Sequence, residues 1–330
     1  MKLPNFVQIE PVGQCNLRCQ MCPIQFRQDG PPYGPPAFMP FETFTRLVDQ
    51  FPHIKQLHLQ GLGEPMMHPR FFEMVQYASH KGIRVTTNTN LTLLNARRAA
   101  ECVASGLETI YVSIDGATAE TYERIRVRAH HDRVMNNLRL LLQAREGHTL
   151  PHLWIVMVIM RNNLSELPEL VKLAKDWQAE GLSVQHLAHD FQESSLPAHY
   201  RAMRDFVQAE TLMEEDPQRV DYYFSAARAA AEEVQIELRL PSTTRQIHPP
   251  GTPGRERCSW PWTGAYISYE GLAMPCCMVA TPDRINFGNM AERGVETVWN
   301  SGEFQDFRER LASDSPPEIC QSCSVYWGTF

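Results

Sequence analysis

Cys15-Asn16-Leu17-Arg18-Cys19-Gln20-Met21-Cys22 decides how this chain is read, because three cysteines spaced by three and then two residues follow directly on a short alternating run, Phe6-Val7-Gln8-Ile9-Glu10. Three thiolates this close together grip one inorganic cluster, and a four-iron cube held by three thiolates keeps one iron open. An open coordination position marks a metal centre that does chemistry, as it does for zinc. Spacing alone leaves two other readings standing: a three-cysteine zinc site completed by a distant histidine, and plain loop cysteines.

Outward from this loop, composition narrows the class. At 330 residues the chain exceeds the size at which one core usually keeps growing, so one large domain and a smaller one are expected. A net charge of −7 with both signs interspersed offers no footprint for nucleic acid or an anionic membrane. No apolar secretion segment precedes the cysteine loop, and the longest apolar stretch, 154–160, has the length of a strand, which predicts a cytoplasmic protein. Nine cysteines in such a chain point to metal rather than disulfides. Seven of them fall into two groups with ligand-like spacing, leaving Cys102, read as a core residue of an alanine-rich helix, and Cys277.

After the loop comes Gly30-Pro31-Pro32-Tyr33-Gly34-Pro35-Pro36, read either as a stiff flap or as a simple connection. Then a rhythm sets in: helix 41–51, strand 54–60, helix 70–81, strand 83–87, helix 95–105, strand 109–114, helix 134–145, strand 153–160, helix 166–179, strand 182–189. Alternation of this kind means parallel strands with right-handed crossovers, here six units, two short of a closed eight-fold barrel. Polar residues recur on one face of the strands: Gln8 and Glu10, His58 and Gln60, then Tyr111, Ser113 and Asp115. With the apolar faces against the helices, the polar faces meet inside, which predicts a wet or ligand-filled interior. Active residues in such barrels sit at the carboxyl ends of strands.

The cysteine motif at the end of a first strand resembles the signature of the radical S-adenosylmethionine (radical SAM) enzymes. The resemblance implies that Cys15, Cys19 and Cys22 hold a [4Fe–4S] cluster whose open iron chelates the amino and carboxylate groups of SAM. It implies too that reductive cleavage yields a 5′-deoxyadenosyl radical, which abstracts hydrogen from substrate. Met21 stands where the family places an apolar or aromatic residue beside adenine. Gly61-Leu62-Gly63-Glu64-Pro65 resembles the glycine-rich motif that holds the SAM amino group, with Glu64 as its acid. Asn88, in the polar run after the third strand, and Ser113 and Asp115, at the end of the fourth, match further SAM-contacting segments. Arg126, Arg128 and Arg133 lie where related enzymes pair an arginine with the SAM carboxylate, and Arg161 follows the fifth strand where they contact adenosine. His189 and Asp190, ending the sixth strand, suit proton transfer or binding of substrate hydroxyls, or an ordinary buried histidine.

Past residue 191 the rhythm lapses into helices over 197–214 and 219–233 and a strand over 234–240, and a Pro/Gly-rich connection at 248–254 leads to the second cysteine group. Cys258, Cys276, Cys320 and Cys323 surround a hairpin near Gly271 and a helix over 295–311. Four thiolates suit zinc or a fully ligated [4Fe–4S] cluster. Their spacing resembles the SPASM/Twitch extensions of radical SAM enzymes in a single-cluster form. The expected organisation is a partial (β/α)6 radical SAM barrel over 1–192, a helical linker region over 193–254 and a small C-terminal α+β auxiliary-cluster domain over 255–330.

These readings converge on an oxidoreductase that abstracts hydrogen from a small polar substrate, such as an aminocyclitol or sugar, with the auxiliary cluster taking the second electron. A low-potential donor of the flavodoxin or ferredoxin kind is implied. Only fourteen residues precede Cys15, too few for an N-terminal peptide-recognition domain. Two alternatives stay open: an epimerase in which Cys277 returns hydrogen as a thiol, and a peptide-modifying enzyme with a separately encoded peptide partner. A zinc scaffold without catalysis is the reading from a different class.

Overall fold

Residues 1–26, 37–187, 191–245 and 258–330 are described by the structure, a computed structural model. Among them nine strands form one sheet: β1 (Phe6–Ile9), β2 (Gln56–Leu59), β3 (Arg84–Thr89), β4 (Thr109–Ser113), β5 (His152–Val158), β6 (Gly181–Gln185), β7 (Glu237–Arg239), β8 (Gly264–Ile267) and β9 (Ala273–Met274). Their spatial order is β7-β6-β5-β4-β3-β2-β1-β8-β9. Every neighbouring pair is parallel except β8 and β9. The expected six-strand α/β core is present in sequence order from β1 to β6, and it is extended at both edges.

Side-chain alternation sorts the strands into two faces. Val7, Leu57 and Val85 lie in register and are fully buried against the helices, as are Ile9 and Leu59. Gln8, His58 and Thr86 lie in register on the opposite face. The helices answer with apolar stripes: Phe41–Asp49 buries Phe44, Leu47 and Val48, a spacing of three and four that turns one side to the sheet. Each such side chain contributes about 1.5–3 kcal/mol on leaving water. Caps close the helices locally, with Asn95 Oδ1 accepting from Arg98 N at 3.0 Å and Thr118 Oγ1 accepting from Thr121 N at 3.2 Å.

Several elements differ from expectation, among them the sixth strand, expected over 182–189, which ends at Gln185. The helix expected over 134–145 begins at His131 and is preceded by a separate helix, Ala119–Ile125. The strand expected over 234–240 is only Glu237–Arg239, because helix Pro217–Val234 runs on until Gln235 turns it off in a left-handed conformation, φ 54°. The single helix expected over 295–311 is two, Val295–Trp299 and Gly302–Ala312, since Ser301 Oγ accepts from Phe304 N and starts the second afresh. The flap reading of 30–36 and the connection at 248–254 lie outside the described residues. No helix among the described residues is long and apolar enough to cross a membrane.

Candidate active site

The cysteine loop leaves the end of β1 and is braced from three sides. Its backbone bonds to the segment after helix Ala119–Ile125, Arg18 N donating to Val127 O and Gln20 N to Ile125 O, both at 3.0 Å. The turn after β2 packs so close that a Cβ on Gly63 would stand 2.1 Å from Val12 O, and one on Gly61 equally close to the Glu10 side chain. Glycine is required there for approach. Glu64 is buried, its Oε1 accepting from Met66 N at 3.1 Å and Thr89 Oγ1 at 2.7 Å, its Oε2 from Asn90 N at 2.8 Å. Burial pushes its carboxyl above the usual range despite those donors. Asn90 completes the brace: its Nδ2 donates to Asn16 Oδ1 at 3.1 Å and lies 3.7 Å from Cys15 Sγ.

Beside this loop the polar strand faces enclose a cavity of about 580 Å³. Gln8, His58, Gln60, Thr86, Asn88, Tyr111, Ser183 and Gln185 form its wall, and Met21, Gly61 and Leu62 line it too. The expected polar interior is therefore real for β1 to β4 and continues into β6. His58 Nδ1 lies 2.6 Å from Thr86 Oγ1 and its Nε2 2.6 Å from Gln60 Oε1. Loss of solvation pulls its pKa down to about 4, against the lift from those hydrogen bonds, so the ring is neutral at neutral pH. His186, another lining residue, is shifted down by burial as well and contacts Ser242 O at 3.1 Å.

Of the other residues singled out in the sequence, Met21, Gly61, Asn88 and Cys277 line this cavity. Ser113 and Asp115 lie at and just past the end of β4, outside the lining. Asp115 is fully buried and ion-paired with Arg126, Nε to Oδ2 2.7 Å. Burial favours the neutral form of Arg126, yet Asp115 and Cys19 more than offset this, and the guanidinium stays charged. Arg133 is exposed on helix His131–Arg145. Arg161 is tied elsewhere, pairing with Glu215 at 3.2 Å and donating to Ala209 O and Glu214 O. His189 and Asp190 lie outside the described residues.

The second cysteine group also comes together. Cys258, Cys276, Cys320 and Cys323 line one small apolar chamber with Trp260, Met278, Phe307 and Tyr326. Burial raises the Cys276 thiol well above its ordinary value, with the other cysteines adding to the shift. Its neighbour Cys277 lines the barrel cavity, yet burial, with Cys323 and Cys258 adding to it, pushes its thiol up to about 12, so it borders both compartments. Glu10, which the sequence placed only on a polar face, links them: its Oε1 accepts from Leu62 N at 3.1 Å and from Tyr266 Oη at 2.8 Å, and its Oε2 accepts from Tyr269 N at 3.3 Å. Thr89 and Asn90 were legible as a polar run, but not as the brace of Glu64.

Known proteins carry the same combination. Residues 9–174 match the radical SAM superfamily, and residues 258–324 match the SPASM iron-sulfur cluster-binding domain. The chain belongs to the radical SAM superfamily. It is 28% identical, over 97% of its length and 87% of the relative's, to a tungsten-containing aldehyde ferredoxin oxidoreductase cofactor-modifying protein of Pyrococcus furiosus. A PqqA peptide cyclase of Xanthomonas euvesicatoria pv. vesicatoria is also 28% identical, over 83% of this chain and 69% of that one. Among solved structures, Streptococcus suis SuiB bound to precursor peptide SuiA superposes with a TM-score of 0.66 at 15% identity, covering 99% of this chain and 71% of that one.

The donor sets fit what a radical SAM enzyme with a SPASM domain carries: SAM, its [4Fe–4S] cluster and an auxiliary iron-sulfur cluster. Burial raises the Cys15 thiol well above its ordinary value, and Glu64, Cys19 and Cys22 add to the shift. Burial pushes the Cys19 thiol up to about 12, which keeps it protonated until a metal displaces the proton. Leu17 N, 3.4 Å from Cys15 Sγ, and Arg126 Nη1, 4.0 Å from Cys19 Sγ, are aimed at the sulfurs as partners of thiolates are. The apolar chamber with four thiols suits a fully ligated cluster.

Proposed function

We propose that this radical SAM enzyme acts on a peptide presented to the barrel cavity, abstracting hydrogen from it with net oxidation. The observation that carries this is the chemistry of the wall: Gln8, Gln60, Asn88 and Gln185 offer side-chain amides, and no Asp or Glu side chain stands among the described lining residues. Amides pair with peptide groups, donor to acceptor and acceptor to donor. An aminocyclitol ammonium would meet no carboxylate there, which counts against the aminocyclitol reading. The 28% identity to a peptide cyclase supports the peptide class.

When bound, SAM and its cluster supply a hydrogen-abstracting 5′-deoxyadenosyl radical, and the auxiliary cluster supplies a one-electron acceptor. The chain does the rest by position. Gly61 and Gly63 let the turn after β2 close on the cysteine loop, and Glu64 and Asn90 hold it there. Met21 and Leu62 add apolar surface to the cavity, and burial favours the neutral form of His58 and His186, which leaves Arg239 as the charged side chain among its described lining residues. The nine free cysteines fit a reducing cytoplasm, where a flavodoxin or ferredoxin would be the reductant.

The test uses anaerobic holoenzyme with dithionite and SAM, offered two fractions from heavy-water-grown cells of the producing organism, one of peptides and one of small metabolites. Deuterium is expected to enter 5′-deoxyadenosine from the peptide fraction and to vanish after protease treatment. Transfer from the small-metabolite fraction alone would overturn the peptide class. A second reading rests on Cys277, which lines the same cavity: if its thiol returns hydrogen, the product is an epimer rather than an oxidised species. Cys277→Ala is then expected to abolish product while deuterium transfer persists, and unimpaired turnover removes the epimerase.

A further inference from the structure

Arg126 brings a positive charge to the cysteine loop, and its placement is fixed on every side. Gln20 N donates to Ile125 O and Arg18 N to Val127 O, so the residues on both sides of Arg126 are pinned to the loop. Its Nη1 reaches to 4.0 Å from Cys19 Sγ, and its Nε lies 2.7 Å from Asp115 Oδ2. Asp115 is anchored in turn, its Oδ1 accepting from Val158 N at 2.8 Å and its backbone oxygen from Asn163 Nδ2 at 2.9 Å. The two side chains are 8% and 0% exposed, beyond the reach of solvent screening.

We propose that Asp115 and Arg126 form a charge pair that sets the reduction potential of the cluster held by Cys15, Cys19 and Cys22, acting through the Cys19 sulfur. The proposal rests on the three-cysteine cluster and not on the peptide substrate. Reduction adds one negative charge to the cluster. A buried cation beside a ligand sulfur stabilises the reduced form and raises the potential, and a buried anion does the opposite. Arg126, whose Nη1 reaches the sulfur directly while Asp115 contacts it through the guanidinium, dominates. Asp115 is a positioning residue that holds the guanidinium in place and offsets part of its charge.

The two partners therefore carry opposite signs, which general damage to the site does not reproduce. Anaerobic holoenzyme without added SAM is titrated with dithionite while electron paramagnetic resonance follows the signal that SAM perturbs in a parallel sample. Arg126→Gln is expected to move the midpoint to more negative potential and Asp115→Asn to more positive potential, with the double variant between them. Arg126→Lys keeps the charge and is expected to stay near wild type, so the test survives if Arg126→Gln fails to load iron. Midpoints that do not move, or that move in the same direction in both single variants, overturn the proposal. Wild-type protein with no SAM-perturbed signal would sink the cluster assignment itself, a separate failure.

Discussion

His58 shows what the barrel interior does to a single side chain. The ring faces a cavity and yet is desolvated, with both nitrogens occupied by Thr86 and Gln60, so it acts as a neutral strut that orients the Gln60 amide rather than as a base. Its ordinary value of 6.5 applies in the unfolded chain, and burial pulls it down to about 4 in the fold. Between those values the unfolded chain binds the extra proton, so the stability linked to this residue is complete above the upper value. It is lost as pH falls, at ~1.4 kcal/mol per unit for one group. Denaturant unfolding of wild type and His58→Asn between pH 7 and pH 5 is expected to show a shallower fall for the variant. Equal slopes would mean that the ring titrates normally in the fold. Arg126 makes the complementary point about legibility. The sequence offered Arg126, Arg128 and Arg133 as equals, and only the backbone after helix Ala119–Ile125 separates them. Arg126 ends that helix at φ −95° and ψ 66°, turning its side chain inward, whereas Arg128 sits at φ 76° on the exposed side.

At the scale of elements, what was local in sequence was legible and what was distant was not. The strands β1 to β6 could be read because each is a short run, alternating in most and continuously apolar in β5, and the two cysteine groups because their spacing follows ligand patterns. The turn after β2 could be read from its glycines, which the close approach to Val12 and Glu10 demands. The position of β8 could not. Gly264-Ala265-Tyr266-Ile267 carries a single polar side chain and reads as one arm of a hairpin, yet it pairs in parallel with β1, more than two hundred residues away in the chain. No periodicity encodes such a pairing; it is fixed by tertiary contacts, among them Tyr266 Oη on Glu10. Glu10 was correctly placed on the polar face of the first strand, but its partners belong to the hairpin, so its role as a link between the two units was invisible. The same holds for Cys277, which lines the barrel cavity while its sequence neighbour Cys276 lines the chamber of the second cysteine group.

At the scale of the whole molecule, one sheet among the described residues connects the two cysteine groups through β1. That strand carries the cysteine loop at its end and pairs with β8, and β8 leads through β9 to Cys276 and Cys277. The two centres thus share a backbone scaffold, Glu10 ties the turn beside the first to the hairpin that leads to the second, and Trp260 and Met278 line both cavities. Glu64, Thr89 and Asn90 hold the first, while Trp260, Phe307 and Tyr326 wall the second. The helices beyond pack into the same core as the sheet through contacts that need no metal, with Phe287 stacked on Phe304 at 4.1 Å between ring centres and Arg308 donating to Pro261 O and Trp299 O. Removing the second metal should therefore leave both the sheet and the first site standing. In a Cys320→Ala, Cys323→Ala double variant, anaerobically reconstituted, iron and sulfide per chain are expected to fall to about half, as for loss of one of two clusters of equal size. SAM cleavage to 5′-deoxyadenosine without substrate is expected to persist, because nothing that touches Cys15, Cys19 or Cys22 has changed. Formation of oxidised product should be lost, since the electron acceptor is gone while hydrogen abstraction remains. Loss of all iron, or of SAM cleavage itself, would show that the two sites are coupled more tightly than their separate braces allow.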